Sequence, residues 1–343
     1  MMKTILITGG AGFIGSNFVK FIYNKYPDYR IIVLDALTYA GNTDNFLDSM
    51  KDNSRFVFWY GNVRNGELID ELVSQSDVVI HFAAESHVAR SIFDNMIFYE
   101  TDVIGTQVVA NSVLKYNGKI ERFIHISSSE VYGTALSEPM TEEHPLNPKS
   151  PYASAKAGAD RLVYSYWATY DIPAIIIRPF NNYGPHQHLE KVIPRFITSA
   201  ILNEPLTVHG DGKNERDWVF VEDCCNAVNK ALHCDLNKVR GEVINIGTGR
   251  SIDVITIARM VLKIMNKPES LIRFITDRPG QVEKHISSKE KASEFLKWSP
   301  ATDFETGLRK TIEWYKNNEQ WWRKLLWMRS IPIVMKDGKR ELY

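Results

Sequence analysis

The chain has 343 residues, 44% of them hydrophobic and 24% charged, which allows a large buried core and suits a soluble globular protein. Its 41 basic residues balance 41 acidic ones, which argues against a mainly electrostatic nucleic-acid binder. Cys224, Cys225 and Cys234 show neither zinc-type spacing nor a disulfide framework, and no apolar run reaches the ~18 residues of a membrane span. The expectation is a cytosolic protein with no bound metal and no membrane or nucleic-acid partner.

In chain order, short β-branched runs alternate with longer amphipathic stretches. Strands are predicted at 3–8, 30–35, 55–60, 77–82, 121–127 and 174–178, with helices between them at 14–26, 66–75 and 96–116. This alternation predicts an α/β fold with a Rossmann-type, doubly wound parallel sheet. Beyond about Asn181 the strands shorten and proline increases, around helices at 191–202, 253–265 and 304–317. The expected division is a nucleotide-binding domain at 1–180, with segments near 217–247 returning to it. A smaller C-terminal substrate-binding domain follows at 181–318, then a Trp-rich tail at 319–343. The tail, with Trp321, Trp322 and Trp327 among basic residues, is expected to pack on its own domain or on a sister subunit.

Thr8-Gly9-Gly10-Ala11-Gly12-Phe13-Ile14-Gly15 follows the first strand and opens a helix. Gly9 suits a tight turn, Gly12 a close approach to pyrophosphate, and Gly15 close helix–strand packing. Asp35 ends the next strand, where a carboxylate accepts from ribose hydroxyls and repels a 2′-phosphate, so NAD is favoured over NADP. Phe82, Ala83 and Ala84 end a later strand at the same edge and leave room for the cofactor, or simply pack closely.

Tyr152 and Lys156 stand four apart, on one helical face, after a plausible N-cap at Ser150 and a first-turn Pro151. An ammonium beside a phenol favours the phenolate, as does a cationic nicotinamide ring. The spacing alone arises easily by chance; its place inside a dinucleotide-binding fold carries the information. Ser127, Ser128, Ser129 and Glu130 follow the fifth strand, where polar residues face the ligand crevice. A serine there could hydrogen-bond a substrate oxygen that Tyr152 deprotonates, and Glu130 is a candidate acid or base. A capping cluster with a solvated glutamate is the alternative.

Together these features resemble the extended short-chain dehydrogenase/reductases. Asp35-Ala36-Leu37-Thr38-Tyr39-Ala40-Gly41-Asn42, Ala83-Ala84-Glu85-Ser86-His87-Val88, Asn181-Asn182-Tyr183-Gly184-Pro185, Glu190-Lys191-Val192-Ile193-Pro194, Arg216-Asp217-Trp218 and Asp277-Arg278-Pro279-Gly280 are similar to the dTDP-glucose 4,6-dehydratases. The resemblance implies NAD contacts at Leu37, Thr38, Gly41, Asn62, Val63, Ser86, Thr101 and Asn181, besides those above. It implies nucleotide-sugar contacts at Glu85, His87, Ser128, Asn182, Lys191, Val192, Thr207, His209, Arg216, Asp277, Arg278 and Gln281. It also implies a homodimer through the helices at 96–116 and 151–170.

The implied reaction takes an NDP-hexose of dTDP- or UDP-glucose type to its 4-keto-6-deoxy sugar. C4 is oxidised with Tyr152 as base, water is eliminated across C5 and C6 with Glu130, and hydride returns to C6. Several positions depart from the pattern, among them Ala89, Gln281 and the stretch Arg178-Pro179-Phe180, and one more bears on the elimination. Where dTDP-glucose dehydratases carry Asp-Glu, this chain has Ser129-Glu130, as do GDP-mannose dehydratases and UDP-glucuronate decarboxylases. Decarboxylation and C4 epimerisation therefore stay open as alternatives, and an idle nucleotide-binding regulator is a remote one.

Overall fold

The computed structural model describes residues 2–277, 279–335 and 337–342. Six strands form where the β-branched runs lie: β1 (Lys3–Thr8), β2 (Tyr29–Asp35), β3 (Phe56–Tyr60), β4 (Val78–His81), β5 (Arg122–Ile126) and β6 (Ala174–Pro179). Later in the chain come β7 (Asn181–Tyr183), β8 (Leu206–His209), β9 (Glu215–Phe220), β10 (Val243–Ile246), β11 (Ser251–Asp253) and β12 (Ile272–Ile275). The central sheet has seven strands in the order β10-β6-β5-β4-β1-β2-β3, and every pairing in it is parallel.

Parallel strands covered on both faces are mainly apolar, and these are, with a few buried polar residues such as His81, His125, Arg178 and Asn245 among them. Ile5, Ile7, Ile31 and Val33 point into one core, while Leu6, Ile32 and Leu34 point into the other. Strand order reverses between β1 and β4, which opens a crevice at their carboxyl ends. In doubly wound sheets that switch point is where ligands bind.

The helix expected at 96–116 is not one regular helix. It is α-helical at Met96–Phe98, winds as a π-helix over Tyr99–Gly105, and is α-helical again over Thr106–Lys115. Close packing accompanies the change: a Cβ on Gly105 would lie 2.6 Å from a Val63 methyl, and Thr106 Oγ1 donates to the Asp102 carbonyl at 2.5 Å. Such wide turns collect at functional sites, and this one carries Thr101 to the wall of the crevice.

Beside the sheet lies a separate apolar cluster containing Tyr183, Phe196, Trp218, Phe220, Leu308, Tyr315 and Trp322. Two small sheets flank it, β11-β9-β7 and the pair β12-β8. The tail packs on its own chain. Trp322 is buried and donates to the Tyr315 carbonyl at 2.7 Å, and Trp321 Nε1 donates to Asn45 at 2.9 Å. Among the described residues, no helix is long and apolar enough to cross a membrane.

Candidate active site

The turn after β1 is packed to contact. Gly9 has φ +70°, a Cβ on it would lie 2.5 Å from the Ala83 nitrogen, and one on Gly15 would lie 2.2 Å from the Gly9 carbonyl oxygen. No larger residue fits either place without moving backbone. The helix Phe13–Lys25 thereby starts at the crevice, with Gly12, Phe13 and Ile14 on its wall. Its unpaired N–H groups and positive dipole end suit a diphosphate. Asp35 accepts from the Ala11 nitrogen at 2.9 Å through one oxygen and from the Leu37 nitrogen at 2.8 Å through the other. Burial pushes its pKa up against those two bonds, and each oxygen keeps a further lone pair for a ribose hydroxyl.

The crevice is a cavity of about 370 Å³, within the usual range for a ligand pocket. Gly9, Gly12, Phe13, Ile14, Gly15, Asp35, Thr38 and Gly41 line one end of it. Asn62, Val63, Phe82, Ala83, Ala84, Ser86, Thr101, Ser127 and Asn181 also line it. Leu37 faces an adjoining cavity with Trp321 and Trp327 instead. The tight glycine turn, the open helix end and the carboxylate fit a dinucleotide.

The catalytic candidates converge on the same cavity. Beyond β5, the Ser128 hydroxyl caps a short turn of helix, Ser129–Tyr132, by accepting from the Glu130 nitrogen at 3.2 Å. This turn brings Ser128, Ser129 and Glu130 to the wall. Ser150 caps the helix Pro151–Tyr170 by accepting from the Ala153 nitrogen at 3.2 Å, with proline in the first turn. That start sets Tyr152 and Lys156 one turn apart, both on the cavity.

The electrostatics differ from the sequence expectation that Lys156 favours the Tyr152 phenolate. Burial pushes the Tyr152 phenol up, Asp102 and Glu130 push the same way, and the hydrogen bond with Ser128 opposes them. Lys156 donates to the Ile126 carbonyl at 2.7 Å, and burial lowers its own pKa. Its charge is directed at that carbonyl and at Asp102 rather than at the phenol.

Asp102 was missed by the sequence reading, since with Glu100 and Thr101 beside it nothing local sets it apart. One of its oxygens accepts from the Glu85 nitrogen at 2.7 Å. Burial pushes its pKa up to about 8, while Lys156 pulls the other way.

On the substrate side, Glu85, His87, Asn182, Lys191 and Val192 line the cavity. Lys191 donates to the Ser86 carbonyl at 2.5 Å, and Asn182 to the Phe180 carbonyl at 3.0 Å. Tyr39 and Glu190 line it too, tied together by Arg90. The Arg90 guanidinium lies 3.9 Å from the Tyr39 ring centroid and donates to Glu190 at 2.7 Å.

Other candidates stand apart from this wall. Thr207 and His209 lie on β8, with His209 bonded to the Thr276 carbonyl at 3.0 Å. Asp277 sits beside Gly210, while Gln281 and Arg216 are also off the cavity lining. Arg216 is buried on β9, close enough to His285 to lower its pKa. Arg278 lies outside the described residues.

Comparisons with known proteins agree with this geometry. Residues 6–311 match the family described as GDP-mannose 4,6 dehydratase. The chain is 43% identical to the low-salt glycan biosynthesis protein Agl12 of Haloferax volcanii, covering 92% of this chain and 99% of that one. It is 41% identical to a dTDP-glucose 4,6-dehydratase of Mycobacterium tuberculosis, over 94% of this chain and 96% of the relative. The crystal structure of dTDP-glucose 4,6-dehydratase from Bacillus anthracis, in complex with NAD, superposes with a TM-score of 0.87 at 39% identity. That match covers 94% of this chain and 99% of the other. With its glycine turn at the sheet's switch point, and Tyr152, Lys156 and Glu130 on one cavity, the chain belongs to the GDP-mannose 4,6 dehydratase family of extended short-chain dehydrogenase/reductases.

Proposed function

We propose that this chain is an NAD-dependent nucleotide-sugar 4,6-dehydratase acting on an NDP-hexose of dTDP- or UDP-glucose type, with dTDP-glucose the first candidate. The observation that carries the reading is the convergence of Tyr152, Ser128 and Glu130 on one wall of the switch-point cavity. NAD, when bound, supplies the oxidation at C4 and the later reduction at C6. The loop from Gly9 to Gly15 and Asp35 hold it, at its diphosphate and its ribose.

The chain's own groups move the protons. Tyr152 takes the proton of the sugar 4-hydroxyl while Ser128 hydrogen-bonds the same oxygen. The 4-ketone acidifies C5, and Glu130 removes the C5 proton as the C6 hydroxyl departs as water. General acid–base steps of this kind contribute about 10²–10⁴-fold each. Decarboxylation of a uronate would need a cation for the carboxylate. Both lysines lining the cavity, Lys156 and Lys191, already donate to backbone carbonyls.

The reading includes a cytosolic homodimer through the face formed by the π-helical stretch and the helix Pro151–Tyr170. Met96 at 62% exposed and Ile104 at 47% are the apolar side chains it would cover.

The test is incubation of the purified protein with NAD and dTDP-, UDP-, GDP- and CDP-glucose, UDP-N-acetylglucosamine and UDP-glucuronate, with product masses recorded. Loss of one water from a neutral sugar, abolished by Glu130→Gln, is expected, and it names the nucleotide at once. Loss of carbon dioxide from the glucuronate, or turnover by Tyr152→Phe at the wild-type rate, would overturn the reading.

A further inference from the structure

Ser129 stands where dTDP-glucose dehydratases carry the acid that protonates the departing hydroxyl, and a serine hydroxyl is a poor acid. What lies behind it is a histidine from far along the chain. Ser129 Oγ is 3.4 Å from His285 Nδ1, and the two residues are 156 positions apart. Both are buried, and only Ser129 reaches the cavity wall.

His285 is held from several sides. Its ring Nε2 donates to the Gly133 carbonyl at 2.7 Å, its own backbone nitrogen donates to the Glu215 carbonyl at 3.1 Å, and the Phe180 ring meets it edge-on at 6.0 Å. The flanking carbonyl of Lys284 accepts from Ala135 at 3.1 Å, and that of Ile286 from Met140 at 2.8 Å. The bond to Gly133 decides the tautomer. A carbonyl oxygen only accepts, so Nε2 carries the hydrogen and the neutral ring presents the lone pair of Nδ1. Burial lowers the His285 pKa to about 4, with Arg216 and His144 pulling it down and Glu130 pulling it up, so the ring is neutral near neutral pH.

Facing that lone pair, Ser129 is the donor. Its hydroxyl hydrogen points back to His285, and its oxygen turns lone pairs toward the cavity. The geometry points to His285 as a positioning residue for the elimination, acting through Ser129 to make it a hydrogen-bond acceptor beside Glu130. This inference rests on the dehydratase reading above.

In that role Ser129 accepts from the sugar's C6 hydroxyl and so turns that oxygen's lone pair to Glu130. The proton balance then closes on one carboxyl. The C5–H bond breaks with its proton passing to Glu130, the C5–C6 double bond forms and the C6–O bond breaks. Glu130 hands the same proton to the leaving oxygen, water departs, and the carboxylate is restored.

The test compares His285→Phe, His285→Gln, Ser129→Ala and the double variant Ser129→Ala/His285→Phe with wild type, using the sugar nucleotide that loses water in the preceding assay. Glutamine can donate to Gly133 through its amide nitrogen and accept from Ser129 through its oxygen, whereas phenylalanine can do neither. His285→Phe and Ser129→Ala are expected to lower kcat by about 10- to 100-fold, the cost of a misplaced reacting group. KM stays within about twofold, since the lost interaction belongs to the elimination and not to uniform binding. Reduced nicotinamide then accumulates in a single turnover, because oxidation at C4 precedes the slowed step.

His285→Gln recovers most of kcat, and the double variant is no slower than the single ones because the two residues act as a unit. Equal damage from Gln and Phe, additive losses, or an equally slowed C4 oxidation would each overturn the proposal. If His285→Phe does not fold, as read by its thermal transition, Ser129→Ala and His285→Gln decide it alone. A wild-type protein that removes water from no sugar nucleotide would instead sink the functional reading itself.

Discussion

Two buried carboxyl–cation pairs meet the helix Pro151–Tyr170 one turn apart, and they behave in opposite ways. Asp160 receives Arg178 in a two-pronged contact, Nε and Nη2 each at 2.8 Å, and Arg178 also donates to the Tyr132 hydroxyl at 2.8 Å. Burial would raise the Asp160 pKa, yet the bonds and charge of Arg178 and the charge of Arg161 hold it well below the usual carboxylate range. Asp102, facing Lys156, has the Glu85 nitrogen on one oxygen; its other oxygen has no hydrogen-bond partner among the described residues. Lys156 sends its hydrogen bond to Ile126, and Asp102 is left with a pKa of about 8. Burial is common to both pairs. What separates them is the number of donors aimed at each carboxylate. The first pair is a strut tying the helix to β6; the second is an adjustable charge beside Tyr152.

The sharpest way to break this comparison is to remove one member of the strut. Arg178→Met leaves the buried Asp160 with only the partly exposed Arg161, whose Nε donates to it at 2.9 Å, and should cost about 3 kcal/mol of stability. The double variant Asp160→Leu/Arg178→Met should recover much of that loss, because no charge is then stranded. Urea unfolding of both variants checks this. A loss below about 1 kcal/mol in the single variant would mean the pair is no more than a surface-like contact.

Next comes the pH dependence, where the two carboxyls should oppose each other. Asp160 has a folded pKa below its unfolded value of about 3.9, so its contribution is present above that pH and is lost on acidification. Asp102 has a folded pKa of about 8, above its unfolded value, so its contribution is complete below about pH 4 and is lost as pH rises toward 8. Asp102→Asn cannot ionise. Its stability relative to wild type should therefore grow between about pH 4 and 8 and then level off. Urea midpoints across that range, flat instead of rising, would show that Asp102 is already ionised in the folded chain.

The same contrast marks the limit of what the chain's sequence makes legible. Strands β1 to β6 are readable because strands buried on both faces are dominated by β-branched and aromatic residues, even where Arg122 and His125 interrupt β5. The edge strand β10 is only Val243–Ile246 with an asparagine inside, and it joins the sheet by pairing with β6 from far along the chain. The π-helical stretch is invisible for a related reason. Over seven residues its period is not separable from an α-helix, and the close fit of Gly105 against Val63 is a tertiary contact.

Around the cavity, residues carried by one strand end or one helix turn can be read locally, as with Gly9 to Gly15 or Tyr152 and Lys156. Partners brought in from elsewhere cannot. Nothing in the chain near Tyr152 reveals that Asp102 faces Lys156, and nothing near Ser129 reveals His285. These long-range neighbours set which groups are charged, so the sequence indicates candidate chemistry more readily than protonation state.

The smallest expected effect is also the control for the whole comparison. Glu305 and Arg309 lie one turn apart on the helix Phe304–Asn317, and the guanidinium again meets its carboxylate through two nitrogens, Nε at 3.1 Å and Nη2 at 2.5 Å. This pair too sets two guanidinium nitrogens on one carboxylate, although both share Oε1 whereas Arg178 reaches each oxygen of Asp160 separately. Its side chains, however, are 56% and 55% exposed. Water already solvates both ions, so forming the pair gains little Coulomb energy and restrains two long side chains. Glu305→Gln should cost only about 0.3–0.5 kcal/mol, and salt should weaken even that. A loss rivalling that of Arg178→Met would mean that direct contact between the ions, rather than their burial, makes such a pair matter. The near-silent result expected here assigns the difference to desolvation.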